Sequence, residues 1–346
     1  MTLEQLGWNV YWDGAFAPFL AEGLEPARVM IAHRGRFTVH TGDAGREVDP
    51  AGKLRSTGGL WPATGDWVAL GAGGRRIEAV IPRRTCFART EPGEGGREQV
   101  LAANVDIAFL VAGLDGDFNP RRLERYLHLT LQSGARPVIV LNKSDLCDDL
   151  VARIAECNGM ACGCPVLALS ALQGQGVHQI SAHVEPGETA VLLGSSGVGK
   201  STIVNRLLGY QRLATRAVRA GDSRGRHTTT HRELIPLDLG WLLMDVPGLR
   251  ELQLLPGGES ALDNAFADIT GADCRFRDCS HSGEPGCAVA EALARGEIDE
   301  GRWANYQKLR RELDFLNRSE NPRAAAEYKR LTKVVHRRMR GFYHDS

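Results

Sequence analysis

The sequence has no net charge: 42 Lys and Arg balance 42 Asp and Glu. A uniformly basic nucleic-acid binder is thereby excluded, although a local basic face is not. No apolar run approaches the roughly 18 residues that a transmembrane helix needs. The opening residues, MTLEQLGWNVYWDG, lack a basic segment followed by an apolar core, so no signal peptide is read there. A cytoplasmic protein without membrane contact is the expectation. There is no internal repeat. With 346 residues, 43% of them hydrophobic, the chain has room for two or three globular domains of roughly 100–150 residues each. Without a secretion signal, its eight cysteines argue for metal ligands or reduced thiols rather than a disulfide framework.

What is present centres on Val191–Thr202, VLLGSSGVGKST. Gly194, Ser195, Ser196, Gly197, Val198, Gly199, Lys200 and Ser201 match the phosphate-loop pattern G-x-x-x-x-G-K-[ST] in full, and Thr202 follows. The flanks fit: Thr189–Leu193 is a short β-rich apolar run, and Ile203–Leu208 continues as an apolar-periodic helix. Glycines let backbone N–H groups converge on phosphates, and the helix dipole favours negative charge there. Lys200 would reach the β and γ phosphates, and the Ser201 hydroxyl would ligate Mg²⁺.

The first hundred residues read as mostly β. Two strands lie within Arg28–His40 around a glycine turn. Two more, Gly65–Leu70 and Arg76–Ile81, are joined by the turn-forming Gly71–Gly74. Several short strands with glycine turns suggest a small barrel, and a five-stranded oligonucleotide-binding type fits the length. Arg34, Arg36, Arg55, Arg75, Arg76, Arg83 and Arg84 are read on its surface, either as a contact face or as an ordinary solvated one. Glu91–Gly96 is a linker by composition. Beyond it the strands Val105–Val111, Arg136–Leu141 and Pro165–Leu169 alternate with helices at Pro120–Gln132, capped by Asn119, and near Asp148–Cys157. That alternation predicts a parallel sheet flanked by helices. Ala217–His231 reads as a mobile loop, and His231–Asp238 and Gly240–Asp245 as a strand pair. The chain is helical from Pro256 onward, interrupted by a Cys/His cluster.

Asn142-Lys143-Ser144-Asp145 follows an apolar strand and is the guanine-reading N-K-x-D. The Asp145 carboxylate can accept from both guanine N1–H and the exocyclic amine; adenine lacks that donor pair. The Lys143 stem can lie over the base, and the Asn142 amide can tie this turn to the phosphate loop. Ser170-Ala171-Leu172 follows the next strand, where a backbone N–H could meet guanine O6. Asp245-Val246-Pro247-Gly248 is D-x-x-G: Asp245 would hold Mg²⁺ through a water, and the Gly248 N–H would sense the γ phosphate. Any of Thr228, Thr229 and Thr230 could close over Mg²⁺, and Thr229 is taken as the ligand. In Ras-like GTPases the phosphate loop comes first; here N-K-x-D and S-A-L precede it, so the domain is circularly permuted.

Cys274, Cys279, His281 and Cys287 make C-x₄-C-x-H-x₅-C, three thiolates and one imidazole for a closed tetrahedral zinc site. Cys157, Cys162 and Cys164 have no nearby fourth ligand and, with Cys86 and Cys147, read as ordinary thiols. Glu291–Ala294, Trp303–Asn317 and Ala324–Met339 look helical. Residues 302–340 carry twelve Lys/Arg against four Asp/Glu, a tail suited to phosphate-backbone contact or to a solvated helix face.

The order N-K-S-D, S-A-L, G-S-S-G-V-G-K-S-T, G-R-H-T-T-T, D-V-P-G and C-x₄-C-x-H-x₅-C resembles the RsgA/YjeQ family of circularly permuted GTPases that act on the small ribosomal subunit. The resemblance spans almost the whole chain. It implies an oligonucleotide-binding barrel over 1–98, a permuted Ras-like GTPase domain over 99–257 and a zinc-bearing helical domain over 258–346. It also implies a monomeric enzyme that binds GTP and GDP with Mg²⁺, carries one structural Zn²⁺, and contacts the 30S subunit and its 16S rRNA. Its expected activity is subunit-stimulated GTP hydrolysis during late maturation. Leu249 stands where Ras-like enzymes place a water-orienting glutamine. The resemblance points instead to His227 of G-R-H-T-T-T, which could otherwise contact rRNA phosphate. His227, Lys200 and Thr229 are thus the expected catalytic group. The alternatives are a non-catalytic, GTP-gated RNA-binding scaffold and a GTPase acting on a different RNA.

Overall fold

Strand β1 (Glu25–Ala32) is buried on both faces along its centre, because two structures share it. In the computed structural model, which describes residues 1–33, 35–56, 60–71, 73–90, 98–212, 232–246, 252–276, 279–281 and 284–320, β1 begins a barrel with β2 (Phe37–His40), β3 (Gly45–Pro50), β4 (Trp67–Leu70) and β5 (Arg76–Val80). The pairing runs β1-β2-β3-β5-β4, and β4 closes antiparallel on β1. Closure leaves no free edge among these strands. Ala27, Val29, Phe37, Val39, Val68, Leu70 and Ile77 fill the interior. The five-stranded barrel expected from the sequence is present. Of its expected surface arginines, Arg83 is turned inward and only partly exposed. It makes a two-pronged pair with the fully buried Asp66, Nε–Oδ1 2.8 Å and Nη2–Oδ2 2.7 Å. Arg36, Arg75, Arg76 and Arg84 are on the outside, with Arg84 over the Tyr11 ring. Arg34 and the Arg55 side chain lie outside the described residues.

A helix, α1 (Val10–Ala21), precedes the barrel and is absent from the sequence reading. Its residues are apolar on nearly every face, and Gly14 and Pro18 interrupt it, so no helical period stands out. Packing decides it: Trp12 and Phe16, one turn apart, are buried, and Trp8 and Trp12 meet Trp67 of β4 at 4.8 and 6.0 Å. A short helix α2 (Gly52–Ser56) links β3 to β4.

After the hairpin β6 (Cys86–Thr90) and β7 (Glu98–Ala103) comes the nucleotide-binding half. It contains β8 (Ile107–Gly113), α3 (Pro120–Ser133), β9 (Arg136–Asn142), α4 (Leu150–Met160), β10 (Val166–Ala168), β11 (Thr189–Leu193), α5 (Lys200–Leu208), β12 (Arg232–Pro236) and β13 (Leu242–Asp245). Strands β10-β9-β8-β11-β13 are parallel, and β12 is antiparallel to β13. β8 is buried along its whole length, as a central parallel strand covered on both faces should be. β12 then pairs with the last residues of β1, Ile31↔Glu233 and Ala32↔Arg232, so barrel and parallel sheet form one continuous eleven-stranded sheet.

Arg28 sits at this junction, 2% exposed. Its guanidinium donates to Gly65 O at 3.3 Å, Asn104 O at 3.1 Å and Thr189 Oγ1 at 2.8 Å, and to Leu6 O, and lies over the Trp67 ring. Burial pushes its pKa down to about 10, with Asp106 and Asp66 opposing, so it stays charged at neutral pH. Residues 254–346 are a second compact unit. It holds α6 (Glu259–Ala265), α7 (Ala267–Thr270), α8 (Ala288–Ala294) and α9 (Glu300–Glu320) around Leu262, Phe266, Ile269, Leu309 and Leu313. The basic segment at 324–339 lies outside the described residues. No helix among the described residues is long and apolar enough to cross a membrane.

Arg28→Met keeps roughly the volume but takes the guanidinium donor from three buried acceptors, Leu6 O, Asn104 O and Thr189 Oγ1, while Gly65 O keeps Asn104 Nδ2 at 3.1 Å. At roughly 1 kcal/mol or more each, urea unfolding should show a loss of about 3 kcal/mol or more; a loss below about 1 kcal/mol would remove Arg28 from its place as the junction's anchor.

Candidate nucleotide-binding site

The five parallel strands all point their carboxyl ends to one edge, the usual ligand edge of an open α/β sheet. β8 ends at Gly113, paired with Asn142 of β9. β10 leads to Ser170, β11 to Gly194 and β13 to Asp245. The motifs that are scattered along the chain are therefore neighbours in space. Register places Asp245, one residue beyond the Val191↔Met244 pair, at the same end of the sheet as the phosphate loop.

The loop needs its glycines. A Cβ on Gly194, at φ +155°, would come 2.4 Å from Val111 O. One on Gly199, at φ +98°, would come 2.1 Å from Asn142 Nδ2. Gly199 is the N-cap of α5 and carries no side-chain cap, so the first N–H groups of the helix face the loop. Lys200 Nζ donates to the carbonyls of Gly194 at 2.7 Å and Ser195 at 2.6 Å, which places the ammonium within the loop. Ser201 follows in the first turn of α5, with Thr202 behind it; Ser196 and Gly197 form the exposed crest, and Val198 is buried beneath.

Asn142 binds three motifs together. Its side chain is buried; Nδ2 donates to Val198 O at 2.8 Å, and Oδ1 accepts from Ala171 N at 2.9 Å. The Ser144 amide donates to Leu169 O at 3.1 Å. Lys143 has left-handed backbone, φ +64°, and its ammonium pairs with Asp115 in the loop after β8. Burial opposes the charge on Asp115, but the Lys143 ammonium and the Asp117 amide outweigh it and hold the carboxyl below its usual range. Asp145 lies in a 3₁₀ turn, Ser144–Leu146, with its side chain exposed. Ser170 and Ala171 are buried, and Leu172 is exposed. Arg206 of α5 holds that loop from the other side, donating to Ala171 O at 3.0 Å and Leu172 O at 2.6 Å. His227, Thr228, Thr229, Thr230, Pro247, Gly248 and Leu249 lie outside the described residues.

In the second unit, the ligand atoms of Cys274, Cys279, His281 and Cys287 lie within 4.8 Å of one another. His281 Nδ1 is 3.5 Å from Cys274 Sγ and 3.4 Å from Cys287 Sγ. Tetrahedral ligands with metal–sulfur and metal–nitrogen bonds of about 2.3 and 2.0 Å would sit about 3.5 Å apart, so the cluster fits a structural metal. Cys287 is also the N-cap of α8, where Sγ accepts from Ala290 N at 3.4 Å. The Trp303 ring stands edge-on to His281 at 5.9 Å. Cys157, Cys162 and Cys164 form no such group among the described residues. Burial pushes the Cys157 thiol up to about 12.

Residues 80–255 match the RsgA GTPase family model. A protein of Opitutus terrae named small ribosomal subunit biogenesis GTPase RsgA is 46% identical over 96% of this chain and 96% of its own length. One of the same name from Syntrophotalea carbinolica is 43% identical over 97% of this chain and 96% of its own. The chain belongs to the RsgA GTPase family. Among solved structures, YjeQ from Thermotoga maritima superposes with a TM-score of 0.63 at 27% identity, covering 84% of this chain and 98% of that one. YloQ, described as a circularly permuted GTPase, shares the fold with a TM-score of 0.60 at 23% identity, covering 84% of this chain and 95% of that one. An RsgA-family GTPase uses GTP with Mg²⁺, and the Ser201 and Asp245 oxygens are chemically suited to that ion.

Sequence reasoning missed Asp115, Arg122, Asp117 and Arg206, which brace the motifs without belonging to them. A signal was available for the first and third: two carboxylates, D-G-D, directly after a buried strand at its ligand end. Nothing in the sequence marks Arg206 or Arg122 out from other helix-surface arginines.

Asn142→Ala leaves Val198 O and Ala171 N without their partner. With about 1–3 kcal/mol lost per unpaired buried group, urea unfolding of the nucleotide-free chain should show a loss of about 2 kcal/mol or more, and GTP affinity should fall on the order of 10-fold or more in a fluorescent-nucleotide titration of the folded variant; an unchanged affinity would remove Asn142 from its place as the tie between the loops.

Proposed function

We propose that this RsgA-family GTPase binds the small ribosomal subunit late in its maturation and hydrolyses GTP in response to it. The observation that carries the reading is the Asn142 amide, which joins the guanine-reader turn, the S-A-L loop and the phosphate loop into one site. In this proposal Asp145 reads guanine N1–H and the exocyclic amine, and Lys143 covers the base. Residues Gly194–Thr202 hold the phosphates, with Lys200 on the β and γ groups. Ser201, Thr229 and Asp245 serve Mg²⁺, and the Gly248 N–H senses the γ phosphate. His227 positions the attacking water, a role that Leu249 cannot fill. Cys274, Cys279, His281 and Cys287 take one Zn²⁺, which elemental analysis of the purified chain reads directly. The segments 1–98, 99–257 and 258–346 act as barrel, switch and metal-bearing arm on 16S rRNA. The protein works as a cytoplasmic monomer.

Phosphate release measured with and without purified 30S subunits tests the scheme. Stimulation is expected for the native chain, and His227→Ala should lower the stimulated rate on the order of 10²–10⁴-fold while leaving GTP binding in place. Full stimulated turnover by that variant removes His227 from the chemistry. Absence of turnover under both conditions, together with 30S co-sedimentation, favours a GTP-gated scaffold, the reading that Leu249 supports. Loss of co-sedimentation with a non-hydrolysable analogue points to a different RNA. In the same assay Asp145→Asn should shift preference from GTP toward XTP, because an amide donates to the xanthine 2-oxo group where the carboxylate accepted from the amine. An unchanged base preference contradicts the assigned pocket.

A further inference from the structure

Ser195, the second residue of the phosphate loop, is held from outside the loop as well as within it. Its carbonyl accepts from Lys200 Nζ at 2.6 Å. Its hydroxyl accepts from Arg122 Nη1 of α3, and Tyr126, one turn further along the same helix face, also bonds to it. Arg122 is aimed by Asp117: Nη1–Oδ2 is 2.7 Å and Nη2–Oδ1 is 3.3 Å, a fork that fixes the plane of the guanidinium. The backbone beneath is fixed too, since the Asn119 cap accepts from Arg122 N at 3.2 Å and Asp115 Oδ1 accepts from Asp117 N at 3.3 Å. An unbroken chain of bonds thus runs Asp117–Arg122–Ser195–Lys200.

We propose that Arg122, oriented by Asp117, is a positioning residue for GTP: it sets the Ser195 peptide, and through it the Lys200 ammonium, in the geometry that receives the phosphates. The hydroxyl of Ser195 is the point of action, so the phosphate-loop serine is a handle for α3. The loop Asp115–Asn119 serves both ends of the site. Asp115 steers the cation beside the base, Lys143, and Asp117 steers the cation behind the phosphates. A loop left to its own backbone would sample several shapes, and only the one that converges its N–H groups binds phosphate well. Arg122 removes that freedom before the nucleotide arrives.

The proposal rests on the nucleotide reading above, and a double-mutant cycle in the full chain tests it with fluorescent GDP and GTP. Arg122→Gln should speed nucleotide dissociation about 5–30-fold. Ser195→Ala should do so to a similar extent, and adding Arg122→Gln to Ser195→Ala should change the rate by less than twofold. Asp117→Asn should reproduce part of the Arg122→Gln effect, and GTP-over-XTP preference should be the same in every variant, which separates a role at the phosphates from a general loosening. Additive effects of Arg122→Gln and Ser195→Ala, no effect of Arg122→Gln, or a changed base preference would each overturn the proposal. If Arg122→Gln does not fold, Asp117→Asn with Ser195→Ala completes the same cycle and is judged the same way. A native chain that binds no guanine nucleotide overturns the nucleotide reading as well; a native chain that binds, with unaffected variants, overturns this inference alone.

Discussion

The Arg28 guanidinium is the constraint on which the first 253 residues depend. Its hydrogen bonds reach the segment before α1, the turn that leads into β4, the turn after β7 and the first residue of β11. A cation buried this deeply is tolerated only when its donors are spent on acceptors. Those acceptors come from four separate stretches of chain, so the charge can be buried only when all four are in place. The Trp67 ring below it supplies the remaining packing and fixes the height of α1 through Trp8 and Trp12.

This junction has a mechanical consequence. β1 closes the barrel with its first half, Glu25–Arg28 against β4, and extends the parallel sheet with its last two residues against β12. β12 is the strand that follows residues 213–231, where the Thr228–Thr230 stretch lies. β11, whose Thr189 meets Arg28, ends at the phosphate loop. Strands are stiff along their length and are held in register by their ladders. The barrel is thus hydrogen-bonded to two strands of the parallel-sheet half: β12, which pairs with β13, and β11 through Arg28 and Thr189. The Thr64 Oγ1 bond to Arg232 O at 3.2 Å crosses the same interface, and the Arg83–Asp66 pair holds the turn that carries Thr64.

The nucleotide site itself is a set of loops held by side chains from elsewhere. Asn142 joins the N-K-S-D turn to the phosphate loop, Arg206 braces the S-A-L loop from the helix that follows the phosphate loop, and Asp115 braces Lys143. Permutation of the chain does not disturb this assembly, because each contact is made in space between strand ends at one sheet edge. Moving the chain ends changes only which loops are covalently linked.

Much of this protein was legible in one dimension. The phosphate loop, N-K-x-D, D-x-x-G and the Cys₃His spacing were legible as motifs because few other roles require those residue types at that spacing, and their order alone indicated the permutation. The parallel sheet was legible from its buried apolar strands, and the barrel from glycine turns between short strands. Other features were decided only by the tertiary structure. The helical state of Val10–Ala21 came from packing on Trp67, since its apolar residues carry no period. The burial of Arg28 came from closure of the barrel against the sheet, and the inward turn of Arg83 from the buried Asp66; as letters they are arginines like those at the surface. The bracing set of Asp115, Asp117, Arg122 and Arg206 came from helices and loops brought together over tens of residues. Sequence thus determined which groups could do chemistry, because that depends on residue type and local spacing. Tertiary structure decided which groups hold them in place, because a hydrogen-bond partner is chosen by distance in space.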